Sequence, residues 1–276
     1  MGQSTLHHAE EIPVAGVRKW GISLASLACL GLAATPVRAI DYTAYAKLLQ
    51  AHVRPRTISG IRLNVVDYRG VKADPNYARA LQDFATVKPA AFRTDAERLA
   101  FWVNAYNLLA IKAVIDQYPT ESIRDGDSLF RSIWKKKVGT VGNKAYALDD
   151  IEHGILRKRF QEPRVHFAIV CASLSCPDLR TEPYVAEHLD TQLDDAARTF
   201  LQNSTKGLLP GRDGQPAKVS LIFKWFREDF EPVGGVVNFI RAKIDPTVAA
   251  RIAGLTDNEL SYLDYDWSLN DTARAR

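Results

Sequence analysis

The sequence predicts an α+β domain in which helices pack around a small, mainly antiparallel sheet. Apolar residues recur at helical spacing in several stretches, the longest of them at residues 94–118. The strand-like stretches are short and scattered, without the regular strand–helix alternation that builds a parallel sheet. Internal repeats and low-complexity segments are absent from the sequence, so residues 40–276 are assigned to a single domain.

The first 39 residues have the pattern of a cleaved secretory signal peptide. Arg18 and Lys19 precede an apolar stretch at residues 20–34, and small residues at Val37 and Ala39 mark a cleavage site after Ala39. The apolar stretch is shorter than the roughly 20 residues of a membrane-spanning helix, although an uncleaved anchor remains an alternative. Nothing later in the sequence approaches a membrane span. The sequence therefore predicts a periplasmic protein without stable membrane insertion.

Charge and cysteine content exclude several classes of protein. The chain has 36 Lys and Arg against 32 Asp and Glu, and cleavage after Ala39 removes three basic and two acidic residues, which leaves a net charge of +3. Such a mild and unclustered excess predicts no nucleic-acid partner. Cys171 and Cys176 remain after cleavage, too few for a disulfide scaffold and without enough neighbouring ligands for zinc. No metal or cofactor is predicted.

The predicted elements of the first half are mostly helical. The segment at residues 94–118 has the strongest signal, because Thr94 and Glu97 form a capping box, its apolar face is wide and Pro119 follows. The other elements predicted before residue 120 are a helix at 41–53, a short strand at 61–68 and a helix at 76–84.

The second half mixes short strands with helices. A hairpin at residues 137–147 turns at Gly142-Asn143, and the apolar run at residues 165–170 predicts a buried strand. The other predicted helices lie at 127–136, 148–159, 184–201, 224–230, 236–243 and 246–253, and the other predicted strands at 218–221 and 260–265.

The two thiols follow the predicted strand and are the first candidates for chemistry. Pro177 favours the first turn of a helix, which would place Cys176 at the N-cap, where the helix dipole stabilises a thiolate. Cys176 is therefore the predicted nucleophile. Two alternatives stay open: a Cys171–Cys176 disulfide, which export favours, and a thiol without chemical function.

A thiol nucleophile needs a base, and two histidines are candidates. His166 shares the predicted strand with the thiols, and His153 lies beside Glu152 in the first turns of a helix. Glu152 or Asn104 would orient the histidine. The alternatives are a core histidine bonded to a backbone carbonyl for His166 and a surface position for His153.

Four further residues are assigned to substrate binding: Asn107, Ser175, Arg180 and Trp267. Asn107 lies three residues after Asn104 in the apolar helix, where asparagine seeks specific hydrogen bonds. The alternative for both asparagines is that they bridge loops within the core. Trp267 belongs to a C-terminal stretch that is both aromatic and polar, which is typical of a pocket lining or of the closing of a core.

Five sequence blocks together resemble the bacterial DUF547 family, a domain of unknown function. They are FWVNAYN at 101–107, ALDDIEHGILR at 147–157, VHFAIVCASLSCPDLR at 165–180, IFKWFREDF at 222–230 and YDWSLN at 265–270. The family domain is similar to the papain-like and transglutaminase-like thiol hydrolases. The resemblance therefore implies a fold of that kind and favours a thiol-dependent site.

Two hypotheses follow. The first is an exported thiol hydrolase or acyltransferase that acts on peptide or γ-glutamyl-type amide bonds through a Cys-His site, with a peptide or small molecule as substrate. The second is a non-catalytic periplasmic binding or interaction domain with a Cys171–Cys176 disulfide and a groove lined by Asn104, Asn107, His166 and Trp267.

Overall fold

A computed structural model describes residues 40–127, 132–211 and 216–274. The predicted signal peptide, residues 1–39, lies outside the described residues and stays a prediction, as does part of the predicted helix at 127–136. The α-helices are α1 (Thr43–His52), α2 (Tyr68–Ala73), α3 (Pro75–Thr86), α4 (Asp95–Ile115), α5 (Leu148–Ile151), α6 (Arg157–Phe160), α7 (Val165–Ala168), α8 (Leu189–Gln202), α9 (Ile222–Trp225), α10 (Val236–Lys243) and α11 (Pro246–Arg251). A π-helical turn, Glu152–Leu156, joins α5 to α6.

In the described part of the chain the strands form three small sheets, which confirms the α+β class. They are β1 (Val53–Ile58), β2 (Ile61–Val66), β3 (Gly139–Val141), β4 (Lys144–Tyr146), β5 (Leu208–Leu209), β6 (Lys218–Val219) and β7 (Ser261–Tyr262). β1–β2 and β3–β4 are antiparallel hairpins, and β6 pairs antiparallel with β5 and parallel with β7. The predicted turn at Gly142-Asn143 is confirmed, with both residues at positive φ. A papain-like or transglutaminase-like architecture stays a prediction.

Helix α4 is the centre of the fold. Thr94 accepts the N–H of Glu97 and Glu97 accepts the N–H of Thr94, so the predicted capping box is confirmed. Every residue from 99 to 111 is buried, because other elements cover the helix on all sides. Residues from α1, α3, α5 and α7 belong to the hydrophobic cluster built on this helix. Among the described residues, no helix combines the length and apolar character needed to cross a bilayer.

Removing the cap of α4 is expected to have a measurable but moderate cost. Thr94→Ala leaves the N–H of Glu97 without its acceptor, which should lower the free energy of unfolding by about 1 kcal/mol. Thr86→Ala is the matched control, because the exposed hydroxyl of Thr86 bonds a carbonyl at the end of α3 and caps no N-terminus. Urea denaturation of both variants checks the prediction, which equal losses would contradict.

The predicted strand at residues 165–170 is wrong. Val165–Ala168 is a helical turn, α7, and the chain becomes extended only at Ile169. All six residues are buried, and a short apolar run does not distinguish a buried strand from a buried helical turn. Phe167 packs in a second hydrophobic cluster with Phe200, Phe223 and Phe239, whereas Val165 and Ala168 pack in the α4 cluster. The segment before the thiols therefore lies between the two cores.

The predicted helix after Pro177 is also wrong. Residues 177–185 form neither helix nor strand, so Cys176 is not an N-cap. Asp178 is instead drawn to other partners, since its Oδ1 accepts the N–H of Asn64 at 3.0 Å and the ammonium of buried Lys206 at 2.7 Å. These long-range bonds decide the path of the chain after Cys176. No helix dipole therefore stabilises a thiolate at Cys176, and this reason for predicting Cys176 as the nucleophile does not hold.

Several other boundaries differ from the predictions. Strand β1 was not predicted, the predicted strand at 260–265 is reduced to β7, and the described part of the predicted helix at 127–136 is a 3₁₀ turn, Ile133–Lys135. Strand β1 begins directly after α1, where the chain pairs back on β2 with Val53 opposite Val66. Pairing of this kind depends on a distant segment and leaves little local signal.

Candidate functional site

A cavity of about 170 Å³ brings together most of the predicted chemical residues. Cys171 and Cys176 both line it. Two carboxylates, two histidines and six aromatic side chains complete most of the lining: Asp149, Glu152, His153, His166, Tyr106, Trp134, Trp225, Phe226, Tyr265 and Trp267. These residues come from α4, the helices around the π-helical turn, α7, α9 and the C-terminal segment. Five of the nine predicted site residues line this cavity: Glu152, His153, His166, Cys176 and Trp267.

Cys171 and Cys176 are joined by a disulfide, with their Cα atoms 6.1 Å apart. Cys176 is only 3% exposed, whereas Cys171 is half-buried. Between them, Ala172 has φ +62°, a left-handed conformation that is uncommon for a residue with a side chain and that often marks a functional site. The two sulfurs therefore share a cavity but differ in their access to it.

Three donors face the sulfurs, and one of them, the hydroxyl of Ser173, lies 3.4 Å from the Sγ of Cys171. The Sγ of Cys176 accepts the backbone N–H of Cys171 at 2.8 Å. The hydroxyl of Tyr265 lies 3.2 Å from the Sγ of Cys171 and 3.5 Å from the Sγ of Cys176. Burial raises the pKa of Tyr265 well above its ordinary value, so its hydroxyl stays protonated and is available as a donor.

The residues between and after the cysteines pair with the C-terminal segment. Leu174 donates its N–H to the carbonyl of Ser268 at 2.9 Å, and Asn270 donates to the carbonyl of Ala172 at 3.0 Å. The Oγ of Ser175, a predicted substrate-binding residue, accepts the N–H of Asp266 at 2.8 Å. Ser175 does not line the cavity, and its contact instead holds the segment that carries Tyr265 and Trp267.

His166 is paired with a carboxylate rather than with a sulfur. Its Nε2 lies 2.6 Å from the Oδ2 of Asp229, and its ring stacks on Phe226 with centroids 4.1 Å apart. Burial tends to raise the pKa of Asp229, but hydrogen bonds from His166 and Arg157, together with the positive charge of Arg157, hold it well below its usual range. The ionised carboxylate fixes the ring, and among the described residues its Nδ1 has no hydrogen-bond partner.

His153 and Glu152 lie in the π-helical turn, a feature that is frequent at functional sites. Glu152 is buried and accepts the hydroxyl of Tyr106 at 3.0 Å. His153 is exposed, with its Nδ1 2.9 Å from Arg157 and its Nε2 3.5 Å from Asp149. Arg157 also binds Asp229, so it connects the two histidines.

Closely packed aromatic rings form one wall of the cavity. Trp267 packs against Tyr265, Trp134 and Trp225, with ring centroids 4.6, 5.7 and 5.8 Å apart. Trp225 is 44% exposed, which places a large apolar surface at the entrance side of the wall. A wall of this composition suits the apolar part of a ligand.

The two asparagines of α4 do not line the cavity. Asn104 bonds both the N–H and the carbonyl of Tyr184, at 2.9 and 2.8 Å. Asn107 accepts the N–H of Val170 at 3.0 Å and donates to the carbonyl of Ala168 at 2.9 Å. Each side-chain amide therefore forms the same pair of hydrogen bonds with a backbone segment that a neighbouring strand would form. The segment that Asn107 bonds directly precedes Cys171.

Arg180, the remaining predicted binding residue, lies elsewhere. It contributes to a separate polar cavity of about 710 Å³ between the β1–β2 hairpin and α8. There it is paired with Glu182 and Asp195 and lies over the ring of Tyr184. Its charge is thus neutralised within the protein.

Four residues of the site were missed from the sequence: Asp229, Tyr265, Arg157 and Tyr106. Asp229 lies in the IFKWFREDF block and Tyr265 in the YDWSLN block, so the resemblance marked the segments but not the residues. Arg157 is the last residue of the ALDDIEHGILR block, and Tyr106 lies in the FWVNAYN block. Within the described part of the chain, no group of three or more His, Cys, Asp or Glu side chains is arranged to hold a metal ion.

The fold and the site define an α+β protein with a disulfide in an aromatic-walled cavity. Residues 90–201 match the family model described as "Protein of unknown function, DUF547". The resemblance to the DUF547 family is thereby confirmed for this part of the chain, which includes the first three of the five blocks. No curated protein and no solved structure matches the chain.

Proposed function

We propose that the cavity is the active site of a thiol hydrolase or acyltransferase that acts on peptide or γ-glutamyl-type amide bonds once the disulfide is reduced. The observation that supports it is that one cavity is lined by two sulfurs and by a histidine whose Nε2 is bonded to an ionised carboxylate. A thiol, a base and a group that orients the base are the parts of nucleophilic catalysis by cysteine.

In this proposal Cys171 is the nucleophile, because its side chain is half-buried while Cys176 is almost inaccessible. His166 takes the thiol proton on Nδ1, and Asp229 holds the ring through Nε2. The thiolate attacks the amide carbonyl carbon, and the imidazolium returns the proton to the departing amine. Water, or an acceptor amine in the acyltransferase case, then cleaves the thioester and releases Cys171. His153 is the second candidate for the base.

The test compares variants with and without a phosphine reductant. The probes are γ-glutamyl 4-nitroanilide and alanyl 4-nitroanilide. Wild-type protein should release nitroaniline only after reduction. Cys176→Ser should release it without reductant, because Cys171 can no longer form the disulfide with residue 176. Cys171→Ser should be inactive in both conditions. Activity of Cys171→Ser equal to that of reduced wild type would overturn the assignment.

A second measurement needs no substrate. Alkylation of reduced Cys176→Ser protein by iodoacetamide at about pH 6 should be at least tenfold slower in a variant that also carries His166→Gln, if the imidazole holds the thiolate. The companion substitution His153→Gln shows which histidine is the base. Indifference of the alkylation rate to both substitutions would contradict the thiolate–imidazole pair.

A non-catalytic binding domain is the second candidate, and the disulfide itself favours it. A disulfide that closes residues 171–176 holds the turn at Ala172, and with it the pairing that places Tyr265 and Trp267 in the cavity wall. In this case the native protein should contain no free thiol by intact-mass measurement after alkylation, and reduction should reveal neither amide hydrolysis nor unusual thiol reactivity. Hydrolysis by the reduced protein would contradict it.

A further inference from the structure

The two sulfurs of the disulfide stand in unlike surroundings. We infer that Cys171 is a thiol-exchange site, at which a low-molecular-weight thiol forms a mixed disulfide and expels Cys176 as the leaving sulfur. This exchange would open the proposed active site, and only that consequence rests on the proposed function, since the exchange itself involves no amide substrate.

Access decides which sulfur is attacked. Exchange requires a thiolate to approach one sulfur of the bond from outside. Both cysteines contribute to the cavity, but Cys176 is 3% exposed and Cys171 is half-buried. An incoming thiolate therefore meets the Sγ of Cys171.

The surroundings of Cys176 suit a leaving group. A departing thiolate is stabilised by donors already in place, and exchange is faster when the leaving thiol has a low pKa. The Sγ of Cys176 accepts the N–H of Cys171 at 2.8 Å, which distinguishes it from the other sulfur. The protonated hydroxyl of Tyr265 lies 3.5 Å from this Sγ and 3.2 Å from the Sγ of Cys171, so it can donate to whichever sulfur gains the charge. The ammonium of Lys206, wholly buried, binds the carbonyl of Cys176 at 2.8 Å and so anchors its backbone. These contacts hold Cys176 in place while the bond opens.

The size of the cavity selects the partner. Its volume of about 170 Å³ is below the roughly 300–1,000 Å³ of sites for drug-sized ligands. The cysteines also share that volume with six aromatic side chains. The space fits a small thiol and excludes the folded surface of a protein reductant.

The exchange proceeds in two steps, in which atoms and electrons balance. The thiolate RS⁻ bonds to the Sγ of Cys171, the Cys171–Cys176 bond breaks, and Cys176 leaves with the electron pair and takes a proton. A second RS⁻ attacks the mixed disulfide, releases RSSR and leaves Cys171 as a thiolate. The protein disulfide is thus reduced by two electrons, which two molecules of the small thiol supply.

The experiment treats the full protein with limiting 2-mercaptoethanol and quenches it with N-ethylmaleimide. Tryptic cleavage after Arg164 and Arg180 places both cysteines on one peptide, in which fragmentation locates each modification. The expected product has the hydroxyethyl adduct on Cys171 and the maleimide on Cys176. In parallel, Cys176→Ser should take up the adduct from hydroxyethyl disulfide at least tenfold faster than Cys171→Ser. An adduct mainly on Cys176, or equal rates in the two variants, would overturn the inference.

Tyr265→Phe tests the role of the hydroxyl while it keeps the ring. Loss of this donor should slow reduction of the wild-type disulfide by 2-mercaptoethanol several-fold, and Tyr262→Phe, in the neighbouring β7, should leave the rate unchanged. An equal rate in Tyr265→Phe would remove the tyrosine from the mechanism, and a slower rate in both variants would contradict its specific role. Exchange at Cys171 without nitroanilide hydrolysis would support the inference and overturn the proposed function, and hydrolysis without the Cys171 adduct would do the reverse.

Discussion

Asn107→Ala is expected to lower the free energy of unfolding by roughly 3–5 kcal/mol, because it leaves two buried backbone groups without partners. The side chain of Asn107 satisfies the carbonyl of Ala168 and the N–H of Val170, and it is itself 1% exposed. Alanine supplies neither a donor nor an acceptor and adds a small cavity. Chemical denaturation of wild type and variant checks the prediction.

Asn238→Ala is the control for this substitution. Asn238 is exposed, and among the described residues its amide bonds only the carbonyl of Gly234, so its loss should change stability by less than about 0.5 kcal/mol. A loss of less than about 1 kcal/mol in Asn107→Ala would mean that the backbone at residues 168–170 finds other partners.

Asn107→Asp separates hydrogen bonding from packing. The carboxylate can still accept the N–H of Val170, but it faces the carbonyl oxygen of Ala168 in a buried site. Protonation restores a donor there, so this variant should bind protons more tightly when folded than when unfolded. Its stability relative to wild type should therefore rise as the pH falls, which the alanine variant should not show.

Asp229→Asn is expected to lower stability by about 2 kcal/mol near neutral pH, because it leaves Arg157 without its counter-ion and His166 without the carboxylate that its Nε2 bonds. A fully buried pair would cost more, but Asp229 is partly reached by solvent. The matched control is Glu228→Gln, which removes a carboxylate from the same arginine at an exposed position and should cost less than about 0.5 kcal/mol.

The effect of Asp229→Asn should depend on pH with a definite sign. The pKa of Asp229 is lowered in the folded protein, so its carboxylate contributes stability above the unfolded pKa of about 3.9, and that contribution is lost as the pH falls through the folded value. The difference between wild type and variant should thus be largest above about pH 5 and shrink in acid. A difference that is constant between pH 7 and pH 3 would contradict the ionic role of Asp229.

Helix α4 shows what local sequence signals predict well. Its N-terminus follows from Thr94 and Glu97, whose capping box involves neighbours in sequence, and its central place follows from an apolar face too wide for a surface helix. The hairpin turn at Gly142-Asn143 is predictable for the same reason, since positive φ at two successive residues demands this residue pair.

The segment that leads to the thiols shows where such signals fail. A buried run rich in β-branched residues resembles a strand, but the carbonyl of Ala168 and the N–H of Val170 bond the amide of Asn107, which lies 61 residues earlier than Ala168. The same holds after Cys176, where Asp178 is held by Asn64 and Lys206 instead of opening a helix. Contacts of this range outweigh the local preference of Pro177 for a helix start.

The sequence by itself determined the α+β class, the central helix and the segment in which the thiols lie, because these depend on periodicity and on neighbours along the chain. Only the tertiary structure decided that Glu152, His153, His166, Tyr265 and the cysteines line one cavity, and that Asp229 pairs with His166. It also decided that Asn104, Asn107 and Arg180 lie outside that cavity. These arrangements depend on burial and on hydrogen bonds between residues 46 to 94 positions apart. Such contacts cannot be predicted from the periodicity within one element.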